Sequence, residues 1–153
     1  MQGCFFLFVD IRASWFYTID SNGHMPIRKE AIKMKIAISA KGRQVEDLVD
    51  MRFGRTEYFV IADENGQIVD VLDNAAQSAT GGAGIAAAQA ILDSGADVLI
   101  TGQLGPNALK VIKSAALPAY QAINGSIGDN IKAYASDKLQ KITESGPAHA
   151  GQR

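Results

Sequence analysis

Anion binding is the chemistry to which the polar residues of this sequence point. Arg52 and Arg55 flank Phe53-Gly54, and Lys41 and Arg43 stand earlier in the same polar stretch. Cations gathered beside a helix start suit a multiply charged anion, because several N–H donors converge on one group. Glu46, Asp47 and Asp50 share the stretch, so a solvated surface loop is the competing reading. A second segment, Thr80-Gly81-Gly82-Ala83-Gly84, leads into an apolar run of helical spacing. Unpaired N–H groups and the positive end of the helix dipole meet at such a start, and glycine lets a ligand approach the backbone. Thr80 would cap that helix or touch the ligand. Glycines also let a helix pack closely, and the pattern alone leaves both roles open. A third segment, Thr101-Gly102-Gln103-Leu104-Gly105-Pro106-Asn107, again turns through glycines into a helix. Thr101 and Asn107 offer polar groups to a ligand, or Asn107 serves as a cap.

Other chemistries fit poorly. Gly82-x-Gly84-x-x-Ala87 matches the letters of a dinucleotide fingerprint. That fingerprint belongs directly after a first strand, with an acid about 20 residues on, whereas here it falls mid-chain. A phosphate-binding P-loop would need Gly-Lys-Ser/Thr, which does not follow. Acid–base catalysis calls for a histidine or paired carboxylates at strand ends. Asp63, Asp70 and Asp73 fall apart from one another on a hairpin, and His24 and His149 lie far from all three loops. No nucleophile stands with a base, so the expectation is a protein that is not an enzyme.

The elements that must position these loops alternate. A buried-type strand is expected over 35–39, then the long polar loop, then a hairpin of strands 58–63 and 68–73 about Asn65-Gly66. A helix follows over 84–95, with Ile85, Ala88, Ile91 and Leu92 on one face and Gly95 at its C-terminal end. Next come a strand over 97–101, a helix with Pro106 in its first turn, a short strand over 118–122, and a last helical region begun by Ser126 or Gly128. A hairpin followed by strand–helix alternation implies an α/β domain with a five-stranded mixed sheet and helices on its faces. Ligands bind such sheets beyond the carboxyl ends of the parallel strands, where the three loops would meet.

The 153 residues suit one domain with a real core. A net charge of −1 and a pI near 6.1 argue against a protein built to grip nucleic acid. No apolar run reaches the roughly 20 residues that span a bilayer. The early CFFLFV is short, lacks a basic start and runs into Asp10 and Arg12, so it makes a poor signal peptide. The expectation is a cytoplasmic protein. Cys4 is the single cysteine, which excludes an internal disulfide framework and a multi-thiolate metal site within the chain. Residues 1–33 are rich in bulky aromatics without a clean period, and the text changes at Met34 to MKIAIS. Arg28-Lys29-Glu30 is encodable as AGG-AAG-GAG, a ribosome-binding sequence at a workable distance before the Met34 codon. Met34 is therefore the expected natural start, 34–142 the domain, and 143–153 a frayed tail.

The segments MKIAISAKG, VDMRFGRTEYFVIAD, TGGAGIAAAQAILDSGADVLITGQLGPNALKVIKSAALPAYQAINGSIGDNIKAY occur in that order. From about Met34 to about Leu139 the chain resembles the dinitrogenase iron–molybdenum cofactor biosynthesis family, closest to its small single-domain members from anaerobic bacteria and archaea. The resemblance implies a ribonuclease-H-like three-layer α/β/α fold, which carries no nuclease activity by itself. It also implies a carrier role, since members hold the nitrogenase cofactor or its precursors, and a related member holds a molybdenum–copper sulfide cluster. Such carriers often have His where Arg52 stands, and sometimes Cys or His where Thr80 stands. This chain lacks those ligands, so it should hold a cluster as an intact anion, through backbone N–H groups, arginines and hydroxyls.

The expected site is Ser39, Arg52, Phe53, Gly54, Arg55, Thr80, Gly81, Gly82, Gly84, Thr101, Gly102, Gly105 and Asn107, with no side chain ligating a metal directly. The expected cargo is an iron–molybdenum or molybdenum-sulfide cluster, and the partners implied are cofactor-assembly or cluster-receiving proteins. The alternative is a regulatory module that uses the same loops on a partner protein or a small anionic metabolite, without metal.

Overall fold

The computed structural model describes residues 34–145. The segment 1–33, with Cys4, Trp15 and His24, and the end of the tail, with His149, lie outside the described residues, as does the expectation of a start at Met34.

Strand β1 (Ile36–Ala40) is buried along its whole length. It is followed by the polar loop, which closes on a single 3-10 turn (Phe53–Arg55). Strands β2 (Tyr58–Ala62) and β3 (Ile68–Asp73) form the expected hairpin. Gly66 supplies the positive φ of its turn, +85°. Asp63 ties that turn from within: its Oδ1 accepts the N–H groups of Asn65 and Gln67, both at 2.9 Å. Helix α1 (Ala83–Asp93), strand β4 (Val98–Thr101), helix α2 (Pro106–Ser114), strand β5 (Ala119–Gln121) and helix α3 (Ile127–Ala135) complete the order. Gly95 follows α1 with φ +72°, and Pro106 opens α2, as their sequence positions imply.

The sheet runs β3-β2-β1-β4-β5. β1 is antiparallel to β2, and β2 to β3, while β1–β4 and β4–β5 are parallel. The continuous apolar runs of β1 and β4 occupy the middle, where both faces are covered. The half-polar β3 takes an edge. Alternation along β1 sorts two cores: Ala37 faces the α1/α2 layer with Ala87, Ile91, Ala108 and Ile112, while Ile36 and Ile38 face α3 with Ile127 and Ile131. The domain is thus α/β, with helices on both faces of a mixed sheet.

One expectation needs correction. Ile85 is not on the buried face of α1 but 45% exposed in its first turn. Ala88 and Ile91 are buried as expected, and Ala87 joins them, on the ridge that continues from Gly84 at helical spacing, because small residues bring the helix closer to its neighbours. At the end of the expected domain Ile142 N–H donates to the Ala119 carbonyl at 2.8 Å, and Lys113 Nζ donates to the Thr143 carbonyl at 2.6 Å. Among the described residues no helix is long and apolar enough to cross a membrane.

Candidate functional site

The three loops meet. Arg52 pairs as an isolated parallel bridge with Gln103, whose N–H donates to the Met51 carbonyl at 2.9 Å. This stitches the RFGR segment to the start of α2. A Cβ placed on Gly54 would lie 3.1 Å from the Gly84 nitrogen, and one on Gly84 would lie 3.3 Å from the Ala108 Cβ. The turn Phe53–Arg55 therefore rests on the first turn of α1, which rests on the first turn of α2.

The glycines divide by role. Gly54, Gly84 and Gly102 serve close approach; at Gly102 a Cβ would fall 2.3 Å from the Met51 Cα. Gly81, Gly82 and Gly105 face open space: a Cβ on any of them would meet no atom within 4 Å. Gly82 is the N-cap of α1 at φ +73°, a conformation that L residues avoid. Close packing, one of the two roles left open by the pattern, is thus present at Gly54, Gly84 and Gly102, while Gly81, Gly82 and Gly105 stand clear of neighbours.

Neither helix start is capped by a side chain, and neither has an acid in its first turn. Thr80 is exposed and does not cap α1, and Asn107 is exposed on α2 behind a Gly105 N-cap, so both capping expectations fail. The left-handed Gly82 takes the N-cap place that Thr80 would need, and Pro106 sets the helix start one residue before Asn107. Among the described residues the N–H groups of Ala83, Gly84, Asn107 and Ala108 find no acceptor. Two bare, positively polarised ends lie side by side.

The expected hydroxyls sit underneath. Ser39 and Thr101 are fully buried, with Ser39 Oγ donating to the Asp50 carbonyl at 2.7 Å and paired with Thr101 Oγ1 at 2.9 Å. They fasten the loop after β1 to β4 and do not reach the surface of the site. Phe53 is buried too, its ring 5.3 Å from that of Phe59, and it anchors the turn rather than lining it.

The cations separate. Arg43 leaves the cluster for Asp73, at 2.8 Å, and stacks over the Tyr58 ring at 4.7 Å. Arg52 stays, its side chain 55% exposed against a buried Asp50 carboxylate at 3.4 Å. Arg55 Nη1 donates to the Gln77 carbonyl at 3.0 Å, which holds the lead-in to the glycine loop.

Three residues outside the expected set build this arrangement. Asp50 Oδ1 accepts the Arg52 N–H at 2.9 Å. Asn74 Nδ2 donates to the carbonyls of Gly54, at 3.3 Å, and Thr56, at 2.8 Å. Thr56 Oγ1 donates to the Ala40 carbonyl at 2.8 Å. Only Asp50 left a local signal, an Asx-type turn two residues before Arg52. Asn74 and Thr56 act across distant segments.

The family model described as dinitrogenase iron-molybdenum cofactor matches residues 34–137, which include every element that forms the site. The chain belongs to the dinitrogenase iron-molybdenum cofactor family. An uncharacterized protein of Methanocaldococcus jannaschii is 32% identical over 112 residues, covering 71% of this chain and 92% of that relative. The apo form of the orange protein from Desulfovibrio gigas superposes with a TM-score of 0.71 at 31% identity, covering 77% of this chain and 100% of that one. A candidate NifB protein from Thermotoga superposes with a TM-score of 0.64 at 29% identity, over 74% and 97% of the two chains.

Residues 34–145 contain neither Cys nor His, and among the described residues no cluster of acids, His or Cys could hold a metal ion. Direct iron or zinc ligation lacks its usual thiolate and imidazole donors here. An anion whose metals are already wrapped in sulfide requires only N–H donors and positive potential, which the arginines and the bare helix ends supply.

Proposed function

We propose that the protein is a cytoplasmic, non-enzymatic carrier of an anionic metal–sulfur cluster, of the iron–molybdenum or molybdenum-sulfide type, on a ribonuclease-H-like α/β/α scaffold. One observation carries this reading: two uncapped helix starts pack together at Gly84 and Ala108, beside Arg52 and Arg55. Each bare end repels its neighbour unless negative charge lies between them. The cargo sits over Gly81, Gly82 and Gly105, where no side chain intrudes. Arg52 and Arg55 donate from the turn, and Ser39, Thr101 and Phe53 hold that turn in place. Family membership supports a cofactor-related cargo, with cofactor-assembly or cluster-receiving proteins as its donors and acceptors.

A second reading is a regulatory module for a partner or a small anionic metabolite. The intramolecular partners of both arginines, Asp50 and the Gln77 carbonyl, favour it.

The test is anaerobic. The full-length protein is mixed with tetrathiomolybdate, with and without Cu(I), and desalted; the visible spectrum and metal content are then recorded. Stoichiometric coloured protein, with affinity reduced about tenfold or more by Arg52→Ala and by Arg55→Ala, is the expected result. Folded, colourless and metal-free protein overturns the carrier reading in favour of the second.

A further inference from the structure

The one buried carboxylate at the site is Asp50, and the carrier role gives it no part. Its side chain is 4% exposed, and its backbone is pinned, with its N–H donating to the Ser39 carbonyl at 2.9 Å. Oδ1 accepts the Arg52 N–H at 2.9 Å, and the two oxygens face Nε and Nη2 of the same guanidinium, each at 3.4 Å. The carboxylate thus fixes Arg52 and at the same time places a buried negative charge against it. The guanidinium keeps further N–H donors for a ligand, since it has five in all.

We infer that Asp50 is a specificity-determining residue that makes the site select large anions of dispersed charge against compact, highly charged ones such as phosphates. The inference rests on the carrier reading. The repulsion between Asp50 and a bound anion grows with the anion's charge and with the closeness of its approach. Burial leaves that repulsion weakly screened. A sulfide-shelled anion spreads its charge over a wide surface and keeps its centre distant. It can accept N–H donors from Arg52 and the helix starts at little cost from Asp50. A polyphosphate brings more charge closer and meets the full opposition. The filter separates the proposed cargo from the phosphorylated metabolites that share the cell with it.

The measurement compares affinities for tetrathiomolybdate and for pyrophosphate in the full-length protein, in Asp50→Asn and in Asp50→Glu. Asparagine keeps an oxygen for the Arg52 N–H and removes the charge, at the loss of one of the two oxygens that face the guanidinium. In Asp50→Asn, pyrophosphate affinity should rise about tenfold or more and tetrathiomolybdate affinity about threefold or less, with a steeper salt dependence for pyrophosphate. Asp50→Glu should restore the original preference. Equal changes for both anions, of either sign, would make Asp50 a structural anchor only and overturn the inference while leaving the carrier reading intact. Binding of neither anion by the unaltered protein would overturn both.

Discussion

Helix α3 begins as a helix should, and helices α1 and α2 do not. In the first turn of α3 every N–H has a partner. Ile127 donates to the Asp47 carbonyl and Gly128 to the Val45 carbonyl, each at 2.9 Å, and Asp129 donates to Ser126 Oγ at 3.1 Å. Asp129 answers the Ser126 N–H, completing a capping box and placing an acid at the positive end. The starts of α1 and α2, on the other face of the sheet, have no capping side chain and no acid. A cap contributes about 1 kcal/mol and takes one residue to encode. The same polar loop that supplies carbonyls to α3 goes on to place Arg52 and Arg55 beside α1. One end of the sheet therefore shows both treatments, and the bare ends are those beside the cations. The starts of α1 and α2 go without the stabilisation that a cap and an acid give α3.

The most damaging way to break this arrangement is at Gly102. A Cβ there falls 2.3 Å from the Met51 Cα, and only backbone movement relieves the overlap. Gly102→Ala should cost about 3 kcal/mol in urea unfolding and part Arg52 from Gln103, and with them the two halves of the site. Gly105→Ala, with nothing within 4 Å of the new atom, should leave stability within about 0.5 kcal/mol of the original. Equal losses in the two variants would show that the α2 start is not seated against the RFGR segment.

A smaller effect separates the helix starts themselves. Ser126→Ala removes the cap of α3 and should cost about 1 kcal/mol. Thr80→Ala, at the place where a cap for α1 would be sought, should shift stability by less than about 0.5 kcal/mol. If thermal unfolding shows the Thr80 variant as unstable as the Ser126 variant, α1 is capped in solution and the contrast fails.

What was legible in the sequence was local. Asn65-Gly66, Gly95, Pro106 and Ser126 each act on their own neighbours, and each stands where its signal placed it. The apolar runs of β1 and β4 announced a sheet interior for the same reason. On α1 the sequence pattern places Ala88, Ile91 and Leu92 against the core but misplaces Ile85, which outweighs Gly84 and Ala87 in hydrophobicity while packing favours the smaller residues. The convergence of the three loops followed from topology. The division of labour within them did not. Gly81 and Gly84 look alike in sequence, and only Ala108, brought in by a different helix, makes one a spacer and leaves the other open. Ser39 and Thr101 present hydroxyls at strand ends, but their mutual bond turns both inward. Asn74 links carbonyls of a turn lying across the hairpin, a role no neighbouring residue reveals.

The smallest effect is also the most discriminating, because its two readouts move in opposite directions. Asn107 is exposed in the first turn of α2, where no acid stands. Asn107→Asp changes one polar group for a charge of similar shape. A carboxylate there complements the helix dipole and should stabilise the protein by about 0.5 kcal/mol at low salt, less as salt screens it. The same carboxylate occupies the positive potential that an anion would use, so tetrathiomolybdate affinity should fall several-fold. The mirror change in α3, Asp129→Asn, should lose about 0.5 kcal/mol and leave anion binding unaltered. Higher stability together with weaker binding at α2 identifies its start as part of the anion site. Higher stability with unchanged binding would confine the site to α1 and the arginines.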